Sequence, residues 1–132
     1  AYFLEQGGFP IYIARPGIAD LARTIHTATP QDLLLAIDVA GQSPYIAHAL
    51  SEARSRGIHT AAIVAVASLA SARSADVVLA ALERPSTSTG MVLTNVIIHV
   101  LVEALLWMYA ERFAGAEQAI AEISDRIRDI SE

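Results

Sequence analysis

Three short apolar runs, Leu33–Val39, Thr60–Val66 and Asp76–Leu82, are separated by stretches whose apolar residues recur every three or four positions. Short runs bounded by turn residues read as buried strands, and the longer recurrence reads as helices. Ile18–Thr27 is one predicted helix, with Ile18, Leu21, Ala22 and Ile25 on one face and Pro30 beyond its end. Pro44–Arg56 is another, burying Ile46, Ala47, Leu50 and Ala53, and Gly57 suits its C-terminal cap. Ser68–Ser74 predicts a short helix or turn. Upstream, Tyr2–Gln6 reads as a helix end stopped by Gly7-Gly8, Phe9–Ala14 alternates like a short strand, and Pro16-Gly17 turns the chain. Downstream, Glu83–Gly90 is a polar loop, about Met91–Phe113 a long helix, and Gly115 its separator from a terminal helix, about Ala116–Ile130. Strands alternating with helices predict an α/β domain over residues 1–132, with a parallel sheet covered on both faces.

Asp32–Tyr45 carries the first strand into a polar turn and then directly into a helix. Ser43 is a good N-cap, Pro44 fits the first helical position, and Gly41 permits a tight turn or close ligand approach. Ligands of open α/β sheets sit at the carboxyl ends of the strands, so this turn is the expected floor of a site. Asp38 either accepts bonds from ligand hydroxyls or bonds loop N–H groups. Ser43 caps the helix, a role compatible with ligand contact, and Gln42 and Tyr45 either reach the same space or are exposed surface. Ser68 and Ser71 follow the second strand, where they either cap or line the cleft. Glu83, with Ser86, Thr87 and Ser88, follows the last strand on the same side, either lining the cleft or forming a solvated loop.

Composition narrows the chemistry. At 132 residues and 54% hydrophobic, the chain suffices for one domain with a sizeable core. Its net charge of −5 argues against nucleic-acid binding by this segment. There is no cysteine, and the four histidines have no metal-ligand spacing, so no metal or cofactor is expected. No Ser/His/Asp set, P-loop or dinucleotide fingerprint occurs. No basic region precedes an apolar run at the start, which makes the cytoplasm the expected compartment. Met91–Ala110 is apolar enough to suggest a membrane, but Asn95, His99 and Glu103 form a polar stripe along it. A charge near a membrane centre costs roughly 2.5–3.5 kcal/mol, so a core or oligomer-interface helix is expected and no membrane partner. His99 and Glu103 are one helical turn apart, either an acid–base pair or, as the favoured reading, a buried hydrogen bond or subunit contact.

From Asp32 to Leu82 the chain resembles a sugar isomerase (SIS) domain. That family places a Ser-x-Ser-Gly-x-Thr loop after a strand opened by an acidic residue, then a helix ending in Gly, a second strand, and an Ala-Asp pair opening the next. The matching residues are Asp32, the loop Asp38-Val-Ala-Gly-Gln-Ser43, Gly57, Ile63–Val66 and Ala75-Asp76. The later polar loop and two apolar helices are most like the effector domain of RpiR-type transcriptional regulators. The resemblance implies a three-layer, mostly parallel, flavodoxin-like sheet with the family's first strand missing, since residue 1 already reads as part of the first helix. It implies a non-catalytic module that senses a sugar or sugar-phosphate-like molecule, with DNA bound only through an upstream domain. A sugar-phosphate isomerase or related enzyme, and a degenerate domain kept for dimerisation, are the alternatives.

The resemblance departs at the ligand loop. Asp38 and Ala40 stand where the family has its two serines, Gly41 matches, and Ser43 stands in for threonine. An ionised Asp38 about 4 Å from a bound phosphate charge costs about 4 kcal/mol at an effective dielectric near 20. A helix N-terminus returns typically less than about 2 kcal/mol. Weak or absent sugar-phosphate binding is therefore expected, at a site of Asp38, Gly41, Gln42, Ser43, Ser68, Ser71 and Glu83. A dimer or tetramer is also expected, because Leu101, Leu105 and Trp107 on the long helix cannot share one face at about 100° per residue.

Overall fold

In the computed structural model the three apolar runs pair as parallel strands in the order β1 (Leu33–Asp38), β2 (His59–Val66), β3 (Val77–Leu82). The structure describes residues 10–131 apart from 16, 40, 42, 68 and 83–86. The chain divides into two compact units, Ala14–His99 and Ala1–Ile13 with Val100–Glu132.

In the first unit, β2 lies between its neighbours, with Ala62 opposite Ala36 and Val78, and Ile63 opposite Ile37 and Leu79. Central position requires apolar residues on both faces, and Ala62 to Val66 are all buried. Helix α1 (Ile18–Thr27) precedes β1, α2 (Pro44–Ser55) crosses from β1 to β2, and the short α3 (Ala70–Ser74) crosses from β2 to β3. Leu50 of α2 and Ala72 of α3 pack with Ala62 and Val64 on one sheet face. Ile25 of α1 joins Ala49, Ala53 and Ile58 in an adjoining cluster. Of the face predicted for α1, Ile25 is buried and Leu21 half-buried, while Ile18 and Ala22 are exposed. On the opposite sheet face Ile63 is buried, but Leu33, Leu35, Ile37, Val77 and Leu79 are exposed.

The connections obey local rules. Helix α2 ends in a Schellman motif: Gly57 takes φ 77°, its N–H donates to Arg54 O, and the Ile58 N–H donates to Ala53 O. The start of β3 is tied to β2 by a reciprocal pair. The Thr60 hydroxyl donates to Asp76 Oδ2 at 2.9 Å and accepts from the Asp76 N–H at 2.9 Å. The Thr60 N–H donates to the same carboxylate oxygen, and Arg54 Nε meets Oδ1 at 2.8 Å. Thus Ala75-Asp76 opens β3 by fastening it to β2 and α2.

Other expectations need correction. Residues 10–15 form no regular element where a strand was expected from Phe9, and Pro10 has no N–H to give a ladder. The helix end at Tyr2–Gln6 lies outside the described residues. The first residues of the expected polar loop lie outside them too, but Thr87–Gly90 belongs to α4 (Thr87–Met108). First-turn N–H groups have no intrahelical partner, so polar residues and a glycine are tolerated there. The break before α5 (Ala110–Ser131) falls at Tyr109, not at Gly115, which is inside α5. The turn leaves Trp107 83% exposed, whereas Phe113 is buried. No helix among the described residues is by itself long and apolar enough to cross a membrane; α4 and α5 reach that measure only together, across an 86° bend.

The bonds from Thr60, reinforced by Arg54, hold the Asp76 carboxyl below its ordinary value of 3.8. A lowered folded-state pKa contributes stability that is present above the unfolded value and lost as pH falls through the folded one. Asp76→Asn is therefore expected to unfold at lower urea concentration than wild type near neutral pH, with the gap closing in acid well below 3.8. Urea midpoints across that range check this; a gap independent of pH would refute it.

Candidate functional site

At the end of β1 the side chain of Asp38 turns inward and is buried. Its Oδ1 accepts the Gly41 N–H at 2.9 Å, so this carboxylate organises the turn into α2. That is the loop-bonding role open from the sequence. Its second oxygen accepts no bond from any described residue. Gly41 takes φ 66°, a left-handed conformation natural to glycine, and a Cβ there would stand 2.9 Å from Leu69 Cδ2. Backbone conformation and close approach both call for glycine at this position.

Ser43 occupies the N-cap position of α2 in extended conformation, with Pro44 in the first turn as expected. Its hydroxyl, however, makes no capping bond. The expected cap is thus one of position and not of hydrogen bond, and no side chain among the described residues satisfies the first-turn N–H groups.

These residues edge a cleft of about 440 Å³. Asp38, Gly41 and Ser43 form its upper end. Pro44, Ala47, His48 and Ser51 form the wall from α2, at the spacing of one helical face. Leu69, Ala70, Ser71, Arg73 and Ser74 form the opposite wall. Ser71 is 1% exposed, and its Oγ has no hydrogen-bond partner. An unsatisfied buried hydroxyl costs about 1–3 kcal/mol.

Of the seven predicted site residues, Asp38, Gly41, Ser43 and Ser71 come together here. Gln42, Ser68 and Glu83 lie outside the described residues. His48, Ser51, Arg73 and Ser74 were not anticipated. The spacing of 44, 47, 48 and 51 carried the signal for α2, but only packing shows that this face looks toward α3. His99 and Glu103 are exposed on α4, so of the two favoured readings the buried hydrogen bond is not formed within this chain, and neither residue lines the cleft. No group of three metal-ligating side chains occurs among the described residues.

An open parallel α/β sheet, with a cleft where its first strand meets a helix N-terminus, defines the class. The SIS domain family model matches residues 1–108, and the chain belongs to that family. No curated protein sequence matches it. Among solved structures, the sugar isomerase domain of the RpiR transcription factor from Sphaerobacter thermophilus is similar, at TM-score 0.74 and 22% identity, over 92% of this chain and 68% of that one. The NanR protein of Vibrio vulnificus, solved in complex with ManNAc-6P, is similar at TM-score 0.74 and 21% identity, over 96% of this chain. This chain spans 49% of that protein's chain.

Gly41→Ala is expected to destabilise the fold by about 1–2 kcal/mol, the cost of a left-handed non-glycine residue, because Leu69 can yield at its side-chain end. Urea denaturation measures it. An unchanged midpoint would mean that the turn adopts another conformation.

Proposed function

We propose that this chain is the non-catalytic effector domain of a cytoplasmic transcriptional regulator, sensing a sugar derivative in the cleft between α2 and α3. The observation that carries the reading is the gathering of Asp38, Gly41, Ser43 and Ser71 around one cavity in a SIS fold. The second oxygen of Asp38 and the Ser43 hydroxyl suit sugar hydroxyls, which donate and accept. Gln42, Ser68 and Glu83 complete the proposed set. The likeness to regulator domains supports sensing over catalysis. The chemistry of the cleft agrees: Asp38 is its one carboxylate among the described residues, and one of its oxygens is engaged by the loop. DNA would be bound through a domain outside this chain. The ManNAc-6P held by NanR supports a sugar phosphate as ligand class. Asp38 and Ala40, standing where hydroxyls are expected, oppose phosphate at the loop itself.

Calorimetry with hexoses, amino sugars and their phosphates tests this. Binding of a sugar, weakened by Ser43→Ala, is the expected result, with phosphates gaining affinity in the Asp38→Ser, Ala40→Ser double variant. Absence of binding by any sugar would overturn the sensing reading.

The proposal includes self-association. Val92, Val96 and Val100 recur along α4 as exposed apolar residues, and Ile120, Ile123 and Ile127 do so along α5. Contiguous apolar surface of this kind is uncommon on soluble monomers. Sedimentation at micromolar concentration is expected to give a dimer or tetramer, and Val96→Lys to shift it toward monomer. A wild-type monomer would refute the assembly.

A further inference from the structure

The cleft has two ends of opposite charge. Helices α2 and α3 both run from the carboxyl ends of the strands back toward their amino ends, because each is a crossover between parallel strands. At about 1.5 Å per residue, His48 lies about 6 Å and Ser51 about 10 Å below Pro44 along α2. Arg73 and Ser74 lie one turn down α3 from Ala70. Asp38 therefore marks the upper end, while Arg73 and His48 mark the lower one. Arg73 is exposed and forms no ion pair among the described residues. Arg23, Arg54, Arg56 and Arg128, by contrast, each pair with a carboxylate. Between the two ends, Ser71 is almost wholly buried in the cavity wall with its hydroxyl unpartnered.

We infer that the lower half of this cleft is an anion subsite, in which Arg73 supplies the charge, His48 faces the same group across the groove, and the Ser71 hydroxyl gains the partner it lacks. The ligand class is a phosphate- or carboxylate-bearing sugar that lies along the groove. Its hydroxyls meet Asp38, and its acidic group sits one to two helical turns away from the loop. The inference rests on the reading that the cleft takes a sugar derivative, and it assigns the end of that ligand which Asp38 would repel. Guanidinium groups form two parallel bonds to phosphate or carboxylate, which suits Arg73 to either acid.

The test uses the full chain and three probes: inorganic phosphate, a hexose 6-phosphate and the matching hexuronic acid. The uncharged hexose and Arg23→Gln serve as controls. Arg73→Gln is expected to weaken binding of the charged sugars roughly tenfold, a charge-assisted contact's worth, and to leave the uncharged hexose unaffected. Ser71→Ala is expected to weaken the same probes about threefold without lowering thermal stability, since it removes a hydroxyl that no other group bonds. A purely structural role for Ser71 would lower stability and leave affinity alone. Preference for the phosphate or the uronic acid identifies which acid the subsite takes. Charged and uncharged hexoses binding equally well to wild type and Arg73→Gln would overturn the inference while sparing the sensing function. Arg73-dependent binding of inorganic phosphate with no binding of any sugar would do the reverse. Failure of every charged probe to bind wild type overturns the inference outright.

Discussion

The architecture of Ala14–His99 depends on the burial of β2. Ile63 and Val64 point to opposite faces of the sheet, and both are almost wholly removed from water. Full burial of such side chains stabilises by about 1.5–3 kcal/mol each. Because β1 and β3 both pair with this strand in parallel, each must be joined to it by a crossover. Helices α2 and α3 are those crossovers. The cleft lies between them, so its existence follows from the parallel pairing.

Polar contacts then position what the apolar core only gathers. The reciprocal bonds of Thr60 and Asp76 fasten β3 to β2, and Arg54 ties α2 to the same carboxylate. At the other end of the strands, the Asp38–Gly41 bond sets the turn into α2. Two aspartates thus brace the two ends of the layer. One has its carboxyl held acidic by a hydroxyl and a guanidinium; the other is buried at the edge of the cleft. Asp38 puts a carboxylate at the loop end of the cleft. Arg73, on the opposite wall, puts a guanidinium further down the groove.

Much of the fold was legible because its signals are local. The three strands and α1, α2 and α3 fall within one or two residues of their expected limits, since apolar runs, Pro44 and Gly57 mark ends through backbone rules that need no tertiary partner. Weak local signals are overridden by packing. Gly115 suggests a helix break, yet a glycine inside a helix costs only about 1 kcal/mol, and the chain turns at Tyr109 instead. The apolar run around His99 and Glu103 suggests a buried bond or a subunit contact, but neighbours along a helix do not bury one another, and both side chains are exposed on this chain.

By itself the sequence determined the three strands and the helices that precede and connect them, the parallel sheet, the tight turn at Gly41 and the placement of a cleft after β1. Each follows from hydrophobic period or backbone stereochemistry, which act between residues close in the chain. Only the tertiary structure decided that Ser43 would leave its hydroxyl free, that Ser71 would be buried without a partner, and that His48 and Arg73 would line one cleft with Asp38. Arg73 is 35 residues from Asp38 in the chain. Nothing in a one-dimensional pattern specifies which faces of two crossover helices meet; that is set by the packing of Leu50 and Ala72 over the same strand.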